Sequence, residues 1–138
     1  MRKRTLAREF ALQVLYQLDI TSDTPENALD NFWSNHDDEE VDAGLKEFSS
    51  DLVKGVAKNL KEIDERIVQF AANWQLDRMA VVDRNIMRLG AFELLYRDDI
   101  PPKVSINEAV ELAKKFSGLE SGKFVNAILD KIKLEKKK

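Results

Sequence analysis

Ile100-Pro101-Pro102-Lys103-Val104-Ser105-Ile106-Asn107-Glu108-Ala109-Val110-Glu111-Leu112-Ala113-Lys114 carries the end of one helix and the start of the next. A proline has no N–H to donate and restricts the residue before it, so Ile100-Pro101-Pro102 stops the preceding helix and predicts an extended turn. Ser105-Ile106-Asn107-Glu108 has the S-x-x-E spacing of a capping box, in which the hydroxyl and the carboxylate satisfy each other's backbone amides. That pattern predicts a helix opening at Ser105 and running to about Phe116, with Gly118 ending it. Upstream, Val82, Ile86, Leu89, Phe92 and Leu95 recur at helical spacing and predict a helix over 77–96. Downstream, Ser121 is the expected cap of a last helix to about Ile132, with Phe124, Val125, Ile128, Leu129 and Ile132 inward.

The same period fills the rest of the chain. Leu6, Ala7, Phe10, Ala11, Val14, Leu15 and Leu18 make one apolar face of a first helix over about 4–19. Thr24-Pro25 predicts a short second helix anchored by Phe32 and Trp33. A third covers 41–58, with Leu45, Phe48, Leu52, Val53 and Val56 inward. Asn59 and Glu62, a capping-box variant, open a fourth that buries Leu60, Ile63, Ile67, Phe70 and Ala71. Trp74, Phe92 and Tyr96 are assigned to packing. The interruptions are helix caps and turns, so the class is all-α with no strand. One domain over 1–134 is expected, with 135–138 as a disordered basic tail.

At 138 residues and 43% hydrophobic, the chain suits one domain with a real core. It has no Cys, which excludes disulfides, thiolate metal sites and a Cys nucleophile, and its one His cannot build a His-based metal site. No apolar run approaches the roughly 18 residues that span a bilayer, and the basic start lacks the apolar stretch of a signal peptide. A cytoplasmic protein without membrane contact is expected. The net charge of −3 hides segregation: residues 1–8 carry +4, residues 19–51 carry −10 and residues 114–138 carry +5. Basic ends point to a polyanion partner.

Catalysis has little to stand on. Asp37-Asp38-Glu39-Glu40 lacks the alternating ligands and the Gly of a calcium loop and reads as a solvated acidic loop, with His36 beside it exposed. Gly118-Leu119-Glu120-Ser121-Gly122-Lys123-Phe124 fails as a nucleotide-binding phosphate loop. The glycine spacing is one residue short, Phe124 replaces the Ser or Thr, and no strand precedes it. A helix start with Ser121, Gly122 and Lys123 still offers amides and a cation to a phosphate. No catalytic residue, metal site or cofactor is expected.

The N-terminus is more informative. Arg2, Lys3, Arg4 and Arg8 crowd the end of a helix where the dipole is already positive. Such a local conflict is a mark of function. Arg4, Arg8, Leu12 and Tyr16 are spaced by four and form one slanting ridge, cations for phosphates with an aromatic for a base. Lys114, Lys115 and Lys123 sit near the last helix junction and are further phosphate candidates, whereas Lys131 and Lys133 suit a helix C-terminus without a ligand. Asp77, Asp83 and Glu93 read either as a docking surface for a basic protein, facing away from the Ile86–Leu89–Phe92 stripe, or as exposed charges with Arg84 and Arg88 as helix partners.

Arg4-Thr5-Leu6-Ala7-Arg8-Glu9 with Ala11 to Tyr16, Val82-Asp83-Arg84-Asn85-Ile86-Met87-Arg88-Leu89 with Glu93-Leu94-Leu95, the 100–114 segment and Lys123-Phe124-Val125-Asn126-Ala127-Ile128-Leu129-Asp130-Lys131 occur in an order and spacing that resemble the NusB family of bacterial transcription antitermination factors. The resemblance implies a seven-helix fold of two small helical bundles. It also implies a partnership with the ribosomal small-subunit protein that acts as NusE, and joint binding of a single-stranded boxA-type RNA. The complex would dock on RNA polymerase with other Nus factors, notably in ribosomal RNA operons. By that analogy, RNA contacts fall on Arg2, Lys3, Arg4, Arg8, Tyr16, Lys123 and Phe124, and partner contacts on Asp77, Asp83 and Glu93. The family often has a larger residue where Gly122 stands and Gly where Ala127 stands.

A similar domain occurs fused to rRNA cytosine methyltransferases, but this chain has neither the length nor the Cys for that enzyme. The alternative with most force is a protein-interaction adaptor with no RNA contact. Self-association is left open by the residues. The RNA reading expects the basic side chains of the first and last helices to lie close together and grip one unpaired strand.

Overall fold

The computed structural model describes residues 2–36, 41–71 and 75–136. Among these are seven α-helices and no strand: α1 (Lys3–Thr21), α2 (Pro25–Ser34), α3 (Ala43–Lys58), α4 (Leu60–Phe70), α5 (Val81–Tyr96), α6 (Pro102–Phe116) and α7 (Leu119–Lys136). A 3-10 turn, Leu76–Arg78, precedes α5. The helices fall into two compact units, 1–58 with α1 to α3 and 59–138 with α4 to α7. The acidic run 37–40, Trp74 and Lys137–Lys138 lie outside the described residues.

In the first unit the predicted apolar face of α1 is the buried one, with Ala7, Phe10, Ala11, Val14 and Leu15 inside. Phe10 meets Phe32 and Trp33 edge-on, at centroid distances of 5.4 and 5.8 Å, a favoured geometry for ring quadrupoles. Trp33 keeps its polar end satisfied by donating Nε1–H to Ser50 Oγ at 3.2 Å. Thr24 caps α2 as expected, its hydroxyl accepting from the Asn27 amide at 3.1 Å, with Pro25 in the first turn. His36 is not simply exposed. It is half-buried, stacked on Phe32 at 4.0 Å, and Nδ1 donates to the Phe32 carbonyl at 2.7 Å, satisfying an acceptor that the helix end leaves open. Asp42 opens α3: Oδ1 accepts from the Leu45 amide at 2.7 Å and Oδ2 pairs with Lys3 Nζ at 2.6 Å.

In the second unit α5 is the central helix, with Ile86, Met87, Leu89, Ala91 and Leu94 buried. It packs against α4, α6 and α7. Two glycines set how closely α7 approaches. A Cβ on Gly90 would lie 2.6 Å from Leu129 Cδ1 and 3.3 Å from Ala109 Cβ, and one on Gly122 would lie 3.1 Å from Lys114 Cγ. Only a missing side chain leaves those spaces open.

Charges are also inside. Arg88, read from sequence as an exposed helix partner, is 9% exposed. Its guanidinium makes a two-pronged bond to Asp64 on α4, Nε to Oδ1 at 2.8 Å and Nη2 to Oδ2 at 3.0 Å, and Nη1 donates to Asn85 Oδ1 at 3.1 Å. Asn85 donates onward to the Val81 carbonyl at 2.9 Å. Glu93, expected on an exposed face, is 2% exposed and accepts a 2.8 Å bond from Ser105 Oγ on α6. A carboxylate buried between helices needs such a donor.

That bond explains why the 105–108 capping box does not form. α6 starts three residues earlier, with Pro102 in its first turn, where a missing N–H costs nothing, and with Pro101 extended at ψ 136°. Ser105 is then inside the helix, and its hydroxyl serves Glu93. Similarly, α7 begins at Leu119, so Ser121 is not its cap, and Asn59 precedes α4 without a side-chain cap bond. The helix expected over 77–96 begins only at Val81, because Met79 and Ala80 are extended and the Met79 side chain is buried. Gly118 ends α6 as expected: the Ser117 and Gly118 amides both reach the Ala113 carbonyl at 2.8 Å, and the Gly118 φ of +134° then turns the chain out of the helix. α7 outruns its expected end at Ile132, and Glu135 within it pairs with Arg66 of α4 at 2.9 Å.

Asp64→Ala leaves the Arg88 charge buried without its carboxylate, and is expected to lower stability by about 3 kcal/mol in urea unfolding. A second test concerns pH. The Lys3 ammonium and then the Leu45 amide hold the Asp42 carboxyl below its ordinary value of 3.8. A depressed carboxyl contributes stability above its unfolded pKa and loses it as pH falls through the folded one. Asp42→Asn keeps an acceptor for Leu45 but removes the charge. The variant should melt slightly below wild type at pH 7, with the difference shrinking as pH falls below 3.8 and through the lowered folded value.

Candidate nucleic-acid interface

The basic end of the first unit is built on the start of α1, which has no acidic residue in its first turn. Arg2, Lys3 and Arg4 are exposed, and Lys3 is held toward Asp42. The Arg4 guanidinium lies over the Phe48 ring of α3, 4.3 Å from its centroid. This contact orients a flat cation at the surface, something an ammonium does less well. The ridge expected from Arg4, Arg8, Leu12 and Tyr16 is not continuous at the surface. Arg8 is 3% exposed and Leu12 5%, because this side of α1 packs on α3, and Arg8 also lies over Phe48 at 5.4 Å. Tyr16 re-emerges, 41% exposed.

The second unit holds Lys123 and Phe124, in the first turns of α7. Lys123 is exposed and loosely paired with Glu120 at 3.5 Å. Pairs in such exposure are weak and easily exchanged. Phe124 is half-buried and lines a cavity of about 380 Å³ with Met79, Ala80, Asp83, Glu120 and Ser121. Ser121 sits at the junction: its hydroxyl donates to Asp83 Oδ2 at 3.1 Å and lies 2.9 Å from Ser117 Oγ. Asp83 Oδ1 is buried with no hydrogen-bond partner. Gly122 is not free to offer its amide to a phosphate, since that N–H donates to the Gly118 carbonyl at 3.2 Å. Lys114 lays its stem beside Gly122 and pairs with Glu111 at 3.3 Å, and Lys115 Nζ lies 5.3 Å from the centre of the exposed Phe116 ring.

Of the acids expected to meet a protein partner, Asp77 is exposed in the 3-10 turn, Asp83 is half-buried against Ser121 and Glu93 is internal. The expected RNA contacts divide between the units, Arg2 to Tyr16 in the first and Lys123 and Phe124 in the second. Met79, Ala80 and the Ser121–Asp83 bond have no sequence signal. They come from the 3-10 turn, α5 and α7, and no spacing along the chain links those segments. Among the described residues no group of three or more His, Asp or Glu is placed to hold a metal ion, and no helix is long and apolar enough to cross a membrane.

Comparison with known proteins bears on the whole chain. The NusB family model matches residues 5–133. The transcription antitermination protein NusB of Anaeromyxobacter dehalogenans is 49% identical over 130 residues, covering 94% of this chain and 89% of the relative. The structure of T. maritima NusB superposes with a TM-score of 0.86 at 38% identity, covering 96% of this chain and 91% of the other. A chain from a crystal structure of the antitermination factors NusB and NusE in complex with double-stranded RNA gives a TM-score of 0.86 at 30% identity, with 98% of each chain covered. With its seven helices in two bundles and a match over nearly all its length, this chain belongs to the NusB family.

Proposed function

We propose that this protein is a cytoplasmic transcription antitermination factor that binds RNA and acts without catalysis of its own. Its RNA is a single-stranded boxA-type element, bound together with the ribosomal small-subunit protein that acts as NusE. The pair joins the antitermination complex on RNA polymerase with other Nus factors, notably in ribosomal RNA operons. Family membership supports this reading, as does a relative solved with NusE and RNA.

The observation that carries it is the exposed cluster Arg2, Lys3 and Arg4 at the positive end of α1, with the Arg4 guanidinium over the Phe48 ring. Cations placed where the helix dipole already disfavours them are accounted for by a polyanion. Tyr16 supplies an exposed ring for a base, and Lys123 and Phe124 supply a second cation and ring. Arg8 acts from beneath, fixing the Phe48 ring on which Arg4 rests. Asp77 and Asp83 are the partner-facing acids; Glu93, being internal, contributes through the α5–α6 contact.

Titration of boxA-like RNA, single-stranded and duplex, with and without the NusE-type partner, tests the reading. With about three phosphate contacts the log–log dependence of affinity on salt has a slope near −2 for a single strand. Arg4→Ala and Lys123→Ala should each weaken binding and flatten that slope by about 0.7. Arg8→Ala should weaken binding too, with a lower unfolding midpoint because its site is buried. A slope near zero with partner binding intact would make the protein an adaptor without RNA contact.

A further inference from the structure

We infer, on the basis of the RNA reading, that Asp42 is a built-in competitor of the RNA backbone. Its carboxylate holds Lys3 where a phosphate would, and a bound strand gains that lysine only by displacing it.

Three observations in the first unit lead there. The first is the pair itself. Lys3 opens α1, and its Nζ lies 2.6 Å from Oδ2 of Asp42, the residue just before α3. An ammonium is a donor only, and the oxygens of a carboxylate and of a phosphate are alternative partners for it. The second is that the competitor is anchored. Asp42 Oδ1 accepts from the Leu45 amide at 2.7 Å, which fixes the carboxylate at the start of α3 and leaves Oδ2 for Lys3. A negative charge suits that end of a helix, where the dipole is positive. The Lys3 ammonium and then the Leu45 amide hold the Asp42 carboxyl below 3.8, so it is charged at neutral pH. Because α3 packs on α1, the acid stays beside the basic arm.

The third is exposure. Both side chains of the pair are exposed, so a polyanion can reach it. Pairs this open are weak, and a phosphate can exchange with the carboxylate. Arg2 and Arg4, the exposed chain neighbours of Lys3, attract a strand to the spot. Asp42 therefore lowers affinity without sealing the lysine away. The penalty is the same for every sequence, because a phosphate carries no base identity. Asp42 sets how tightly this end of the protein holds any RNA strand and leaves discrimination between strands to other contacts.

The test titrates the full chain with a boxA-like single strand and an unrelated single strand of the same length. Asp42→Asn keeps an acceptor for Leu45 and removes the charge. It should bind both strands about 2- to 5-fold more tightly than wild type, the worth of one exposed ion pair. The same variant melts slightly lower. Affinity rising while stability falls separates a competitor from a residue that only shapes the arm, whose loss would weaken both. Glu47→Gln removes an exposed acid further along α3 and controls for net charge, and it should raise affinity far less. In a Lys3→Ala background, Asp42→Asn should gain no more than that control, because the pair no longer exists. Unchanged or weaker binding by Asp42→Asn overturns the inference and leaves the RNA reading standing. So does a gain that survives Lys3→Ala in full, one that Glu47→Gln matches, or one confined to the boxA-like strand. If wild type binds neither strand, with or without the NusE-type partner, the RNA reading fails and this inference with it.

Discussion

The closeness of α7 to α5 and α6 depends on what two residues lack. Leu129 fills the place where a side chain at Gly90 would be, and Lys114 runs beside the bare backbone of Gly122. Helices that pack this near leave no slack for the residues between them. The consequence reaches the surface. With α7 held in that position, Ser121 comes within hydrogen-bond distance of Asp83, and Phe124 becomes one wall of the cavity. Chemistry at that cavity is therefore a product of packing about two helical turns away, at Leu129.

The same unit places charge where it also acts as structure. Arg88 spans from α5 to Asp64 on α4, and Glu93 spans from α5 to Ser105 on α6. Both are nearly enclosed, and both have partners that satisfy their geometry. A buried pair adds little stability over apolar residues of the same size, but breaking one is costly, so such pairs enforce one arrangement. They tie α4 and α6 to the central helix in one register, while the apolar stripe of α5 supplies the burial that drives association. In the first unit, Arg4 and Arg8 use the Phe48 face instead, one at the surface and one beneath it.

Much of this was readable along the chain. Every α-helix has its counterpart among the expected helices, five of them from apolar residues at helical spacing and α2 and α6 from their end signals, and Thr24-Pro25 and Gly118 mark the ends that they mark in the structure. The boundaries that moved did so for physical reasons. Two prolines start α6 because the first helical turn tolerates a missing N–H, and the Ser105 hydroxyl is taken by Glu93, a residue twelve positions away. Met79 interrupts the helix expected over 77–96 because its side chain is drawn into the core. A capping pattern describes only what a segment does when nothing else competes for its groups.

The sequence by itself determined the all-helical class, the faces of the helices and the concentration of positive charge at the two ends. These follow from local periodicity, capping chemistry and composition, which act over a few residues. Tertiary structure alone decided which charges face water. Arg8 and Arg4 are one turn apart in the same basic run, yet α3 covers the first and leaves the second out. It alone decided, too, that Met79, Asp83, Ser121 and Phe124 share a cavity. Burial and convergence depend on which helix packs against which, and that is settled by the free energy of the whole core rather than by any one stretch of it.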